Sequence, residues 1–184
     1  MRIVAGKFRG KQLNSPSDQS TRPTSDRARE SIFNILGSRL GPALDGKRVL
    51  DLFAGTGALG LEALSRGAAH VTFVETGAEA RGIIRDHIEA FGAAGITKLL
   101  RRDATALGRP GTFGRFDLVF LDPPYNQALG EKALVELAAN GWLVPGATIV
   151  WEEAASAAIA IPDGFTLEDS REYGAAAIRF LTFG

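Results

Sequence analysis

Val49-Leu50-Asp51-Leu52-Phe53-Ala54-Gly55-Thr56-Gly57-Ala58-Leu59-Gly60 is an apolar run that carries one acid and then breaks into glycines. It reads as a strand, a tight turn and the start of a helix. Val49, Leu50, Leu52 and Phe53 form a short hydrophobic stretch ended by a breaker, the pattern of a strand buried on both faces of a parallel sheet. Gly55 and Gly57 permit backbone conformations closed to other residues and let bare main chain approach a ligand. From Ala58 the spacing is helical. Gly60 falls where that helix must pass close to its strand, and Gly67 stands where a C-terminal glycine cap would. The spacing Gly55-x-Gly57-x-x-Gly60, with Glu75 downstream, is also that of a dinucleotide fingerprint. The glycines alone therefore leave a nicotinamide dehydrogenase open.

The flanking chain repeats the alternation. Upstream, residues 1–13 hold two short apolar or polar runs around Gly6 and read as a β-hairpin studded with Lys7, Arg9 and Lys11. A polar loop over 14–23 follows. Thr24 or Ser25 then caps a helix to about Gly37, with Ala28, Ile32, Ile35 and Leu36 inward. Downstream, strands are expected at Val71–Glu75, Ile96–Arg102, Phe116–Leu121 and Ala147–Trp151, with helices at Gly77–Phe91 and Glu131–Ala139 between them. Phe165–Glu168 and Ala176–Phe183 close the chain as a hairpin. Alternating strands and helices imply a doubly wound, mostly parallel α/β sheet, in which ligands bind at the carboxyl ends of the strands.

The 184 residues are 45% hydrophobic, enough for one globular domain over 1–184. With no cysteine, disulfides, thiolate zinc sites and cysteine nucleophiles are excluded. His70 and His87 have no ligand-spaced partner, so no metal is expected. No apolar run approaches the ~20 residues of a membrane span, and the cytoplasm and a monomer are the expectations. The net charge of zero conceals an asymmetry. Residues 1–30 carry seven Lys/Arg against three Asp/Glu, a balance of +4, and the rest of the chain carries −4. A basic arm on an acidic body fits a polyanionic partner held at one end, although a solvated hairpin would have the same composition.

Four acids end four separate apolar strands: Asp51, Glu75, Asp103 and Asp122. One such acid is an ordinary turn former, but four in register gather on one sheet edge. The last of them opens Asp122-Pro123-Pro124-Tyr125, which nicotinamide binding does not require. Asp51 before the glycines and this tetrapeptide together resemble the class I (Rossmann-like) methyltransferases that use S-adenosylmethionine, in particular the group that methylates amino nitrogens. That resemblance implies cofactor contacts by Asp51 at the methionine end, by Phe53, Ala54, Gly55 and Gly57 along the floor, by Glu75 on the ribose and by Asp103 and Ala104 on the adenine. It implies catalysis by Asp122, Pro123, Pro124 and Tyr125, with two acceptors aimed at the amino N–H bonds and a ring to stack on the base.

The resemblance narrows with Met1-Arg2-Ile3-Val4-Ala5-Gly6-Lys7-Phe8-Arg9-Gly10-Lys11-Gln12-Leu13, Arg22-Pro23-Thr24 and the segment from Phe53 to Gly67. These are similar to the RsmD family, bacterial enzymes that methylate a guanine N2 in 16S ribosomal RNA, guanine 966 in the family. The likeness spans nearly the whole chain. It implies RNA contacts from Arg2, Lys7, Arg9, Lys11, Arg22 and Arg29, with residues 1–23 as an RNA-binding extension. One departure stands out: the family usually has a charged residue and an Asp after Glu75, where this chain has Thr76-Gly77. The competing readings are an adenine-N6 methyltransferase acting on DNA or another RNA, a dehydrogenase, and a non-catalytic ribosome-assembly factor.

Overall fold

The computed structural model describes residues 1–17 and 24–184. Seven strands, β1 (Arg48–Leu52), β2 (His70–Val74), β3 (Thr97–Leu100), β4 (Phe116–Leu121), β5 (Leu143–Ala154), β6 (Phe165–Tyr173) and β7 (Ala176–Phe183), form one sheet in the order β3-β2-β1-β4-β5-β7-β6. The first five run parallel, while β7 enters antiparallel between β5 and β6. The helices are α1 (Asp26–Leu40), α2 (Ala58–Ser65), α3 (Ala78–Ala90) and α4 (Leu129–Asn140).

Two cores, one on each face of the sheet, explain the unbroken apolar strands. Val49, Val71, Phe73, Leu118 and Phe120 pack with Ile32, Leu36, Leu61 and Ile84 on one side. Leu50, Leu52, Val74, Val119 and Leu121 pack with Leu134, Leu137 and Trp142 on the other. Alternate residues of β1, β2 and β4 thus leave water on both faces, and the period-2 signal of a half-wet strand disappears there. Helix ends follow local chemistry. Ser25 Oγ accepts from Ala28 N–H at 3.1 Å to start α1, and Gly141 at φ 77° ends α4.

Several boundaries differ from the sequence reading. α1 continues through Gly37 to Leu40 and ends at Gly41, at φ 97°, whose N–H bonds Gly37 O. β5 runs on to Ala154, three residues beyond Trp151, and β6 reaches Tyr173 rather than Glu168. β6 is mostly exposed, so its register comes from pairing with β7 and not from apolar alternation.

The expected N-terminal β-hairpin does not form two regular strands. It holds a single antiparallel bridge, Arg2 with Gln12, around a turn closed by Arg9 N–H to Gly6 O and Lys11 N–H to Phe8 O. Three main-chain bonds cross between its arms, Ile3 N–H to Lys11 O at 3.0 Å and Gly10 N–H to Ile3 O and Leu13 N–H to Met1 O at 2.9 Å, while the other donors turn to α2. Val4 and Ala5 N–H bond the Glu62 carboxylate at 2.9 and 3.1 Å, and Lys7 and Phe8 N–H bond Ser65 of α2. Ile3, Phe8 and Leu13 are buried in the same core as α1 and α2.

Candidate active site

A cleft of about 1160 Å³ opens at the carboxyl ends of β1, β2, β3 and β4. Its walls include Asp51, Phe53, Ala54, Gly55, Glu75, Asp103, Ala104 and the whole of Asp122–Tyr125. The strands diverge on either side of the β1–β4 pair, where the chain order reverses, and this is the place at which open α/β sheets hold ligands. Met1, Ser15, Pro16 and Thr24 also reach the wall, so the N-terminal segment borders the cleft as well as the surface.

Asp51 is almost fully buried, and its Oδ2 accepts from Gly60 N–H at 3.0 Å. Burial pushes its carboxyl up to about 8, against the lowering effect of the Gly60 N–H, with the negative charge of Glu75 adding to the rise. The approach of α2 to its strand depends on Gly60. A Cβ there would overlap the Phe73 ring and crowd Asp51 Oδ2. Gly57 caps α2 at φ 80°, but its open side faces Phe73 and Ile84 and it does not line the cleft. Gly57 turns the chain into α2 between the cleft-lining Thr56 and Ala58.

Glu75 stands directly after β2. Its Oε1 accepts from Gly55 N–H at 2.8 Å and its Oε2 from Gly77 N–H at 3.0 Å. The Thr76-Gly77 departure thus leaves the carboxylate fixed by main chain on both oxygens, each with a lone pair still to offer. Asp103 Oδ1 accepts from the Thr105 N–H and hydroxyl at 2.8 and 2.7 Å, which holds its carboxyl below the usual range. Ala104 is buried beside it.

The Asp122 loop leaves β4 with Pro123 buried, Pro124 exposed and Asp122 and Tyr125 half-buried. Among the described residues, the non-glycine positions with positive φ are Phe53, Asn126 and Ala128, one in the turn after β1 and two directly behind the tetrapeptide. Such conformations persist only where the surroundings fix them. Here Glu153 Oε1 accepts from Asn126 N–H at 3.1 Å, and Tyr125 donates its hydroxyl to Glu152 Oε1 at 2.8 Å. Glu152 and Glu153 escaped the sequence reading because the strand was ended at Trp151. A fifth strand closing on acids was the available signal.

Of the basic residues expected on RNA, Arg2, Lys7, Arg9 and Lys11 are exposed. Arg22 lies outside the described residues. Arg29 is fully buried: it pairs with Asp26 and with Glu62 (3.4 Å), and it donates to Arg2 O at 2.8 Å. A guanidinium committed to a buried carboxylate has no face left for phosphate, so the RNA contact expected of Arg29 is withdrawn. Glu62, fully buried and also bonded by Arg66 at 2.9 Å, was hidden within the apolar run of α2. His87 was likewise missed as a tie between segments. Its Nε2 accepts from Asn14 N–H at 2.9 Å, its Nδ1 lies 3.3 Å from Thr56 O, and burial lowers its pKa. Among the described residues no cluster could hold a metal, and no helix is long and apolar enough to cross a membrane.

Known proteins share this fold. The magnesium protoporphyrin IX methyltransferase of Synechocystis, solved with bound S-adenosylmethionine, superposes with a TM-score of 0.63 at 16% identity over 86% of this chain and 79% of its own, a likeness of fold alone. The architecture is the class I methyltransferase fold. The solved structure of yhhF from Escherichia coli has a TM-score of 0.86 and 33% identity over 100% of this chain and 97% of its own. The Escherichia coli protein named ribosomal RNA small subunit methyltransferase D is 36% identical over 183 residues, 97% of this chain and 88% of the relative. Its Haemophilus influenzae namesake is 34% identical over 181 residues, 97% and 92% of the two chains. Residues 1–182 match the family described as conserved hypothetical protein 95. The chain belongs to that family, whose relatives here carry the name RsmD.

Proposed function

We propose that this chain transfers a methyl group from S-adenosylmethionine to the exocyclic N2 of a guanine in 16S ribosomal RNA, acting as one methyltransferase domain whose N-terminal residues serve the RNA. The observation that carries the reading is the gathering of Asp51, Glu75, Asp103 and Asp122–Tyr125 on one cleft from four strand ends. The relatives named for the small-subunit RNA supply the substrate class.

The cleft fits the cofactor on its own chemistry. Its floor carries a carboxylate held by main chain at Glu75, suited to two vicinal hydroxyls, and beside it the buried acid Asp51, whose carboxyl a bound cation would draw toward its charged form. Charge-assisted bonds of this kind are worth roughly 1.5 to 3 kcal/mol each. S-adenosylmethionine supplies, when bound, an electrophilic methyl on a positively charged sulfur. The chain does the rest by positioning. A base amine is a weak nucleophile because its lone pair is delocalised into the ring. The Asp122 carboxylate and the Pro123 carbonyl accept from its two N–H bonds and draw the nitrogen toward tetrahedral geometry. Pro123 and Pro124 stiffen the turn that aims those acceptors. Tyr125 stacks on the base, a contact worth about 1 to 3 kcal/mol.

The deciding experiment incubates small ribosomal subunits and total RNA from a strain lacking this gene with methyl-labelled cofactor and identifies the labelled nucleoside. N2-methylguanosine in 16S RNA is expected. Label in N6-methyladenosine, or in an RNA other than 16S, would replace the substrate assignment.

A further inference from the structure

β5 delivers two adjacent carboxylates behind the Asp122 loop, and both are buried: Glu152 is 8% exposed and Glu153 is 2% exposed. A buried carboxylate is costly unless hydrogen-bonded. Neighbouring strand residues face opposite ways, so the pair holds two different things. Glu153 Oε1 accepts from the Asn126 and Ala154 N–H groups at 3.1 and 2.8 Å, and so fixes the backbone that follows the tetrapeptide. Glu152 instead holds side chains. Its Oε1 accepts from the Tyr125 hydroxyl at 2.8 Å and its Oε2 from the Thr24 hydroxyl at 3.1 Å. Tyr125 and Thr24 both line the cleft. They come from distant parts of the chain, and one carboxylate spans them.

We propose that Glu152 is a positioning residue: through the Tyr125 hydroxyl it sets the plane of the ring on which the substrate base stacks, and through Thr24 it ties that ring to the chain entering α1. The proposal rests on the reading of Tyr125 as a base platform. A ring that swings about its χ angles stacks in many poses, and only one of them leaves the base amine between its acceptors. Misplacement on the scale of an ångström costs on the order of a hundredfold in rate. Glu152 reaches the reaction only through Tyr125, so its removal should slow transfer without loosening the cofactor.

The first measurement needs no activity. The chain has two tyrosines, Tyr125 and Tyr173, so the full-length protein labelled with ring-¹³C tyrosine gives two resolvable sets of signals, assigned with Tyr125→Phe. Glu152→Ala should shift or broaden the Tyr125 signals and leave those of Tyr173 in place. Glu152→Gln, which keeps an acceptor oxygen, should move them less. A second variant, Thr24→Val, removes one donor and leaves the carboxylate, and should give a small shift of the same signals. Unmoved Tyr125 signals in the Glu152 variants overturn the proposal, as does equal movement of both tyrosines, the mark of a general structural role.

The second measurement is single-turnover methyl transfer on small-subunit particles with cofactor affinity measured separately. Glu152→Ala should lose about tenfold to a hundredfold in rate at unchanged cofactor affinity. Glu152→Gln should recover most of that loss, and adding Glu152→Ala to Tyr125→Phe should cost little more than Tyr125→Phe alone. Losses that simply multiply overturn the proposal. A wild-type protein that methylates no RNA overturns the proposed function instead, and the ring signals then still decide whether Glu152 holds Tyr125.

Discussion

Asp51 holds a proton at neutral pH, because its folded pKa of about 8 lies far above the 3.8 of an unperturbed carboxyl. The sign of the linkage follows. Below about pH 4 both folded and unfolded chains are protonated at this site. Between pH 4 and pH 8 the unfolded chain gives up the proton and the folded one keeps it, so the native state loses stability as pH rises, and above pH 8 the loss levels off. Asp51→Asn keeps an oxygen for Gly60 N–H and removes the titration. Its unfolding free energy relative to wild type, from urea curves, should grow steadily across that window and then flatten. A difference independent of pH would show that the wild-type carboxyl ionises normally. Glu75 gives the complementary expectation. Glu75→Ala removes a carboxylate held by Gly55 and Gly77, and cofactor affinity measured by calorimetry should fall by about one to two powers of ten. At Asp122, acceptance of a hydrogen bond and negative charge beside a forming cation should matter more than proton removal, because a guanine amine carries no extra proton to lose before attack. Asp122→Asn keeps an acceptor and loses the charge, and Asp122→Ala loses both. Single-turnover rates at saturating RNA should therefore rank wild type, Asn and Ala in that order, with the full span near 3 to 4 kcal/mol. Equal loss in both variants, with a wild-type rate that rises through a carboxylate pKa, would make Asp122 a base.

The N-terminal segment is bound to α2 and α3 as tightly as it is displayed to solvent. Its main chain satisfies Glu62 and Ser65, and Ile3, Phe8 and Leu13 sit in the core. Deleting residues 1–13 would leave Glu62 and Arg29 buried with fewer partners and open that core, so it would test stability before it tested RNA. Changing exposed side chains separates the two. Arg2, Lys7 and Arg9 to Gln keeps the backbone bonds and removes three charges. Cofactor binding should be unchanged, RNA affinity should drop, and the slope of log affinity against log salt should shrink by about 2 to 3. An unaltered slope would return these residues to a solvated surface. At this scale the legible and illegible parts of the sequence separate cleanly. β4 was readable from Phe116 to Leu121 because both its faces are apolar and a charged or proline turn closes each end. β6 was half lost because an edge strand facing water has no apolar alternation, and the tip of β5 was lost because two buried acids look like a loop.

Across the whole molecule, the edge that holds the cleft followed from where acids terminate apolar strands, whereas the order of the strands came only with the structure. That signal survives because parallel strands must all present their carboxyl ends to the same side. What stayed hidden depends on pairs far apart in sequence. Tyr125 with Glu152, Arg29 with Glu62, and Asn14 with His87 are each ordinary residues locally, and acquire their roles only when the chain has closed. The hold of α2 and α3 on the N-terminus also sets an order of events during synthesis. Val4 bonds a residue 58 positions later and Asn14 one 73 positions later. At about 5 to 20 residues per second, Val4 and Asn14 must wait roughly 3 to 15 seconds for these partners to be made. Through that interval Ile3, Phe8 and Leu13 have no core to enter. Residues 3–14 are thus secured well after they are made, and ribosome-bound fragments ending before α3 should leave them open to protease while those that extend past the sheet protect them.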